Sequence, residues 1–331
     1  MPYRFSFKKY RLPLRVPLRT AHGSWVEREG MIVRLEDDKG AVGFGEIAPI
    51  PWFGTETMVE AEQVIGQFGG MVQDELLDKI PEHLGCVRFA LAQARSVAAP
   101  ATSTGRVPVA ALLPAGRDVL RVLPEKLEAG FLAFKWKVGV GNAEDELGIL
   151  DDLLAQLPAH TKLRLDANGA WSRRDATKWL ERCADRPIEF VEQPVAPTEE
   201  DTLLGLANDY PVKLALDESV VHVSDARRWQ ELGWSGVFVI KPALAGPLSE
   251  VIEWILRSKA DVVFSSAIES TLARSAILAA VLDQPLTRRA LGFGAGEIFG
   301  DRRWDGPFIG PLIDAGCIAS NPGEELWNAL N

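Results

Sequence analysis

Apolar and polar positions along this chain follow two rhythms, and the change falls near residue 100. Before it, residues 3–18 and 31–47 read as strands, the second folded back on itself at Asp37-Asp38-Lys39-Gly40, a hairpin signal. Helical spacing follows over 55–68 and 84–98, where Val87, Leu91 and Ala94 keep one face. Strands first and helices after predict a separate α+β module. From residue 107 the pattern becomes strand then helix, repeatedly. It predicts strands at 107–113 and 131–138, four more ending at Asp166, Glu192, Asp217 and Lys241, one ending at Ser266, and a last short one at 291–293. Helices are expected between them at 119–129, 142–157, 172–184, 199–208, 224–232, 247–259 and 271–282. Eight strands with seven helices predict an α/β fold, a modified TIM barrel of (β/α)7β type. The expected division is a capping module over 1–100, a barrel over 101–296 and a segment over 297–331 that returns to complete the module.

One strand organises the rest. Strand side chains alternate faces, so Phe131, Ala133, Lys135 and Lys137 share one face while Leu132, Phe134, Trp136 and Val138 share the other. The second set suits burial under helices. The first begins small and ends in two ammonium groups, which an interior rejects unless anions compensate. Anions follow at a near-constant period: Lys137, Asp166, Glu192, Asp217 and Lys241 are 29, 26, 25 and 24 residues apart, each gap about one strand plus its return helix. Such a period returns the chain to the same end of a parallel sheet, the end where barrels of this kind carry their chemistry.

Composition narrows the function. With 331 residues, 47% of them hydrophobic, the chain can bury a large core, and a net charge of −10 argues against nucleic acid or an anionic membrane as partner. No apolar run is long enough to span a bilayer, and no apolar stretch follows Lys8, Lys9 and Arg11 to make a signal peptide. Cys86, Cys183 and Cys317 lack metal spacing and read as the thiols of a cytoplasmic protein. The four histidines, at 22, 83, 160 and 222, read as surface or packing residues.

Three carboxylates at one rim repel one another and demand a cation; an all-oxygen donor set favours Mg²⁺, with Mn²⁺ as a substitute, over zinc or copper. Lysines on two sides of that cation can reach opposite faces of a small carboxylate substrate, and a lysine there should have a lowered pKa and serve as a base. The natural use is removal of a proton alpha to a carboxylate, with preorganised charge stabilising the enediolate. Taken singly, each of these residues reads more readily as a solvated strand end or the surface of an edge strand than as part of a site. Four near-even gaps with matched facing favour the set. Two loops of the first module, around Trp25 and Trp52, mix glycine with aromatic residues and fit either a lid or a packed turn.

Lys135-x-Lys137, Asp166-Ala-Asn168, Val191-Glu192-Gln193-Pro194, Leu216-Asp217-Glu218-Ser219 and Ile240-Lys241-Pro242 resemble the enolase superfamily in its muconate lactonising branch, and Gly43-Phe44-Gly45-Glu46 is similar to that family's capping motif. Lysine bases beside Mg²⁺ are a known pattern of that superfamily. The resemblance implies Asp166, Glu192 and Asp217 as metal ligands, Lys137 and Lys241 as acid and base, and Lys135 as the group that tunes Lys137. It implies supporting roles for Asn168 and Glu218, the latter facing away from the metal. The short chain and Phe264-Ser265-Ser266-Ala267-Ile268-Glu269-Ser270 resemble those members that dehydrate a succinyl-bearing cyclohexadiene carboxylate in menaquinone and phylloquinone biosynthesis. In them this strand end, here Ser265 and Ser266, holds the succinyl group. There one lysine, here Lys137, takes the proton and releases water from one face while Lys241 stays charged opposite. Gly292-Phe293-Gly294 lacks the Asp-x-Asp with which dipeptide epimerases hold an ammonium. Racemases, epimerases and cycloisomerases share the first half-reaction and remain alternatives, as does a noncatalytic barrel that binds a carboxylate. Arg164, on the face of Asp166, is either a further substrate contact or charge balance inside the barrel.

Overall fold

The computed structural model describes residues 2–20, 23–96, 105–284, 286–307, 310–318 and 322–330. His22, the helix end expected at Ala98 and the module boundary at residue 100 lie outside them.

The first module is a four-stranded antiparallel sheet in the order β3-β2-β1-β4, from β1 (Pro2–Thr20), β2 (Gly23–Glu36), β3 (Val42–Ile47) and β4 (Met71–Gln73). With it come α1 (Met58–Gly66), α2 (Asp74–Leu77) and α3 (Gly85–Arg95). Gly43 and Gly45 let α3 lie directly on β3, since a Cβ at either would stand 1.9 Å from the carbonyl oxygen of Ala94 or Ala90. The segment expected to be a loop at Trp25 is strand instead: Trp25 pairs with Leu18 and Gly23 with Thr20, so β2 starts eight residues earlier than the pattern predicts. Its polar, charged opening had hidden the pairing.

The barrel strands and helices alternate as β5 (Arg106–Leu113), α4 (Asp118–Glu128), β6 (Ala133–Lys137), α5 (Ala143–Gln156), β7 (Lys162–Asp166) and α6 (Arg173–Cys183). Next come β8 (Ile188–Glu192), α7 (Glu200–Asp209), β9 (Leu214–Leu216), α8 (Val223–Glu231) and β10 (Val237–Ile240). The series ends with α9 (Pro242–Ala245), α10 (Leu248–Ser258), β11 (Val262–Phe264), α11 (Thr271–Asp283) and β12 (Leu291–Gly294). The strands run β11-β10-β9-β8-β7-β6-β5-β12. A parallel bridge between Ser265 and Gly292 closes the ring. Ala110, Ala133 and Ala290 form one small cluster, and Phe190, Ala215, Val237, Val239 and Val263 another. Outside β6, Phe134 and Trp136 are fully buried, Trp136 meeting Trp179 of α6 edge-on at 6.3 Å between ring centroids. Leu132 was expected on that same buried face and is 54% exposed, because the sheet begins one residue later.

Beyond β12 the chain does two things. β13 (Leu312–Asp314) adds antiparallel to the start of β5, so part of the segment expected to return to the first module joins the barrel sheet instead. The rest reaches the module: Phe299 bridges to Leu14, and α12 (Gly323–Ala329) covers Phe44 of β3, with Trp327 at 6.0 Å and Leu326 fully buried. Lys8 of β1 donates to the carbonyl oxygens of Trp327 and Leu330.

Module and barrel are joined through Glu46, 1% exposed at the end of β3. Its carboxylate accepts from Tyr10 Oη (2.5 Å), Ser270 Oγ (2.7 Å) and the backbone N–H groups of Ser270 and Ala273, so it caps α11 from another sheet. Glu46→Ala orphans these buried donors and is expected to cost about 3 kcal/mol. The check is a lower urea midpoint at unchanged slope.

Candidate active site

The strand ends deliver the charged residues to one rim. Lys137, Asp166 and Glu192 are Cα partners across β6, β7 and β8; Asp217 follows the last residue of β9 and Lys241 the last of β10. Lys135 lies one pleat below Lys137, opposite Arg164. In a ring of eight strands, β6 and β10 are four steps apart in either direction, so Lys137 and Lys241 rise from opposed walls.

The ammonium groups are used unequally. Lys135 Nζ lies 2.7 Å from Asp166 Oδ2 and 2.6 Å from Glu192 Oε1, and Lys241 Nζ pairs with Asp217 Oδ1. Lys137, half-buried, has no ion-pair or hydrogen-bond partner among the described residues. Burial works against the charge of Lys135, but Asp166, Glu192 and Asp217 outweigh it and hold this amine well above its usual range. Burial, then the neighbouring Asp166, pushes Glu192 up to about 8. Burial and then Asp217 push Glu218 to about 7. Glu218 Oε1 accepts from Asn168 Nδ2 at 3.0 Å, while Oε2 is buried without a partner.

Among the described residues no three carboxylate, imidazole or thiolate groups are arranged as they stand to hold a metal ion. Asp166, Glu192 and Asp217 share the rim and turn to ammonium groups, the cations the chain itself supplies. The donor set nonetheless fits a hard divalent cation. Asp166, Glu192 and Asp217 have side chains only 7%, 2% and 5% exposed and offer oxygen alone, and burial together with the neighbouring Asp166 lifts Glu192 to about 8.

Gln193, which the sequence placed in a motif without a role, holds two of these strand ends together. Fully buried and at a positive φ of 37°, it accepts from the N–H groups of Asp217 (3.1 Å) and Ser219 (3.2 Å) and donates to Val195 O and Ser219 Oγ. Asn168 is also at positive φ, 46°, with its N–H on Asp166 Oδ1. Such backbone costs energy and is held by its surroundings. The legible signal was an amide placed directly after a rim carboxylate.

The residues proposed for substrate are placed less uniformly. Trp52 sits in a single 3-10 turn, Pro51–Phe53, closed by Gly54 at φ 103°, and meets the ring of Trp25 edge-on at 4.9 Å. The next residue, Phe53, was overlooked; its ring centre lies 4.1 Å from Lys241 Nζ, which brings this loop to the rim. Ser265 Oγ donates to Gly292 O at the closing bridge, and Ser266 Oγ donates to Glu269, so both hydroxyls have partners within the chain. Glu269, buried, is paired in turn with Arg274.

Arg164, 1% exposed, donates to Glu189 Oε2 at 2.6 Å and Ala290 O at 2.9 Å and lies over Phe190. These contacts show charge balance inside the barrel, while Nη2 is buried without a partner. A one-residue register shift between β7 and β8 accompanies this pairing. Glu189 also binds Arg289, which holds Asp261.

A barrel with its charges on these strand ends and an antiparallel module fastened over them is the architecture of the enolase class, and the comparisons agree. Residues 118–280 match the model described as enolase C-terminal domain-like, and residues 4–97 the one described as MenC, N-terminal domain. An o-succinylbenzoate synthase of Thermosynechococcus vestitus is 42% identical over 99% of each chain. The chain belongs to the o-succinylbenzoate synthase family. A crystal structure of the enzyme from Thermosynechococcus elongatus, with Mg in the active site, superposes with a TM-score of 0.87 at 37% identity, covering 99% of this chain and 100% of that one. A dipeptide epimerase of Enterococcus faecalis, complexed with Mg and L-Leu-L-Tyr, shares the fold at TM-score 0.80 and 23% identity, covering 98% of this chain and 99% of that one.

Two outcomes follow from the charges. Lys135→Met removes the amine shared by Asp166 and Glu192, so the thermal midpoint should fall by several degrees in chelator and by much less in millimolar Mg²⁺; equal losses in both would contradict the pairing. Although burial raises the Asp261 pKa, Arg289 and Lys213 outweigh it and hold the group below its ordinary 3.8. Its contribution to stability is therefore full above that value and lost as pH falls through the lower folded one. Urea titrations in steps below pH 5 should show a shallower acid decline for Asp261→Asn.

Proposed function

We infer that this chain is a Mg²⁺-dependent carbon–oxygen lyase that dehydrates 2-succinyl-6-hydroxy-2,4-cyclohexadiene-1-carboxylate to o-succinylbenzoate, in menaquinone or phylloquinone biosynthesis. Full-length identity of 42% to an o-succinylbenzoate synthase carries the choice of reaction. The unpaired Lys137 beside a buried carboxylate cluster supports the assignment of roles.

Asp166, Glu192 and Asp217 would hold the cation, which when bound supplies fixed positive charge for the oxygens of a substrate carboxylate. Lys137, neutral, takes the proton alpha to that carboxylate. The electron pair left behind forms the ring double bond that completes the aromatic system as the C–O bond breaks, and Lys137 returns its proton to the departing hydroxyl as water. One group thus acts as base and then as acid on one face. Lys241, paired with Asp217 and rising from the opposed wall, stays charged and stabilises the negative charge that builds up between these steps. Lys135 keeps Asp166 and Glu192 neutralised and so sets the field felt by Lys137. Asn168 and Glu218 support the rim from behind.

Trp52, with Trp25 behind it, closes over the substrate, and the β11 end at Ser265 and Ser266 lies beside the succinyl chain through its backbone. The division into a capping module over 1–100, a barrel over 101–296 and a returning segment over 297–331 belongs to this reading. So does a cytoplasmic site of action, for which the buried reduced thiols of Cys86 and Cys183 speak. Among the described residues no helix is long and apolar enough to cross a membrane.

The test is a side-by-side assay with Mg²⁺ of the cyclohexadiene precursor, N-acylamino acids and dipeptides. A new aromatic absorbance from the precursor is expected, and its absence with turnover of another substrate would overturn the reading. Lys137→Ala and Lys241→Ala should each lower kcat by roughly 10²- to 10⁴-fold with an unchanged circular dichroism spectrum. Near-normal turnover in Lys137→Ala would remove the role given to it.

A further inference from the structure

Arg28 lies in β2, 2% exposed, and its guanidinium has no carboxylate partner among the described residues. Buried arginines are normally neutralised by an acid. This one is spent on backbone oxygens from two separate loops. Nη1 donates to Pro49 O at 2.5 Å and Nη2 to Ala48 O; Nε donates to Ile268 O at 3.1 Å and Nη2 also to Ala267 O at 3.4 Å. The first two carbonyls lead directly into Pro51–Phe53, the turn whose Phe53 ring lies against Lys241. The other two belong to the loop after β11, between Ser266 and Glu269, where Ile268 is held at a positive φ of 58°. A β-branched residue is costly there, so the loop's shape is imposed from outside. The guanidinium also lies over the ring of Trp25, 5.3 Å from its centre, and Trp25 supports Trp52.

We propose that Arg28 is a positioning residue that fixes the aromatic turn of the first module to the loop after β11, and thereby sets the shape of the substrate pocket without touching the substrate. The inference rests on the reading above for the identity of the pocket. Its planar fork of donors suits it to join four carbonyls, which a lysine cannot do. A shift of about 1 Å in either loop is enough to cost on the order of 100-fold in rate.

The test compares wild type, Arg28→Lys and Arg28→Met. Wild type is assayed first: failure to form the aromatic product there counts against the proposed reaction and leaves Arg28 to the second measurement. In the variants, KM for the precursor should rise about tenfold, with kcat falling less, and Arg28→Lys should recover only part of the loss. An unchanged KM with only a lower thermal midpoint would mean a purely structural role and overturn the proposal. The second measurement is amide hydrogen exchange without substrate. It should show faster exchange confined to segments 48–56 and 265–270 in Arg28→Met, or in Arg28→Lys if the methionine variant does not fold. Unaltered exchange in both segments would overturn the proposal whatever the enzyme acts on.

Discussion

Three carboxylates on neighbouring strand ends, almost wholly removed from water, cannot all keep their charge without cations at hand. That constraint orders this molecule. Lys135 answers it between Asp166 and Glu192, and Lys241 answers it at Asp217, yet Glu192 and Glu218 are still pushed toward neutrality. The demand that remains is for concentrated charge on oxygen ligands, which a small divalent ion meets better than another amine. The protein thus gathers a buried carboxylate cluster and leaves one amine, Lys137, outside the pairing. An enzyme that must draw a proton from beside a carboxylate needs both.

The closed ring turns this local problem into geometry. Because β6 and β10 stand half a turn apart, the two rim lysines rise from opposed walls. Gln193 ties the ends of β8 and β9 together from behind, so Glu192 and Asp217 cannot spread to relieve their repulsion. The same scaffold serves the epimerase fold at 23% identity.

Much of this was legible in the sequence, for a definite reason. A repeat near 25 residues and an alternation of two are properties of consecutive residues, so the strand ends, their charged tips and the ring of eight could be read without coordinates. Side-chain partnerships between distant parts of the chain could not. Glu46 reaches Ser270 across 224 residues, and nothing near residue 46 announces it. Phe53 was passed over because a loop phenylalanine shows no periodicity. Arg164 was placed on the correct face, but its commitment to Glu189 accompanies a one-residue slip between β7 and β8 that no pattern of polarity encodes.

The cover that α12 places over Phe44 has an implication for how the molecule is made. On the ribosome the antiparallel sheet emerges before the barrel, yet the helix that shields its outer face is translated some 280 residues later, after the barrel strands β5–β12. An early-made sheet is therefore covered only after the barrel strands have been made. Contacts of such long sequence separation form slowly and leave intermediates prone to sticking. A requirement for holding chaperones during translation would fall on the amino-terminal sheet and spare the cylinder.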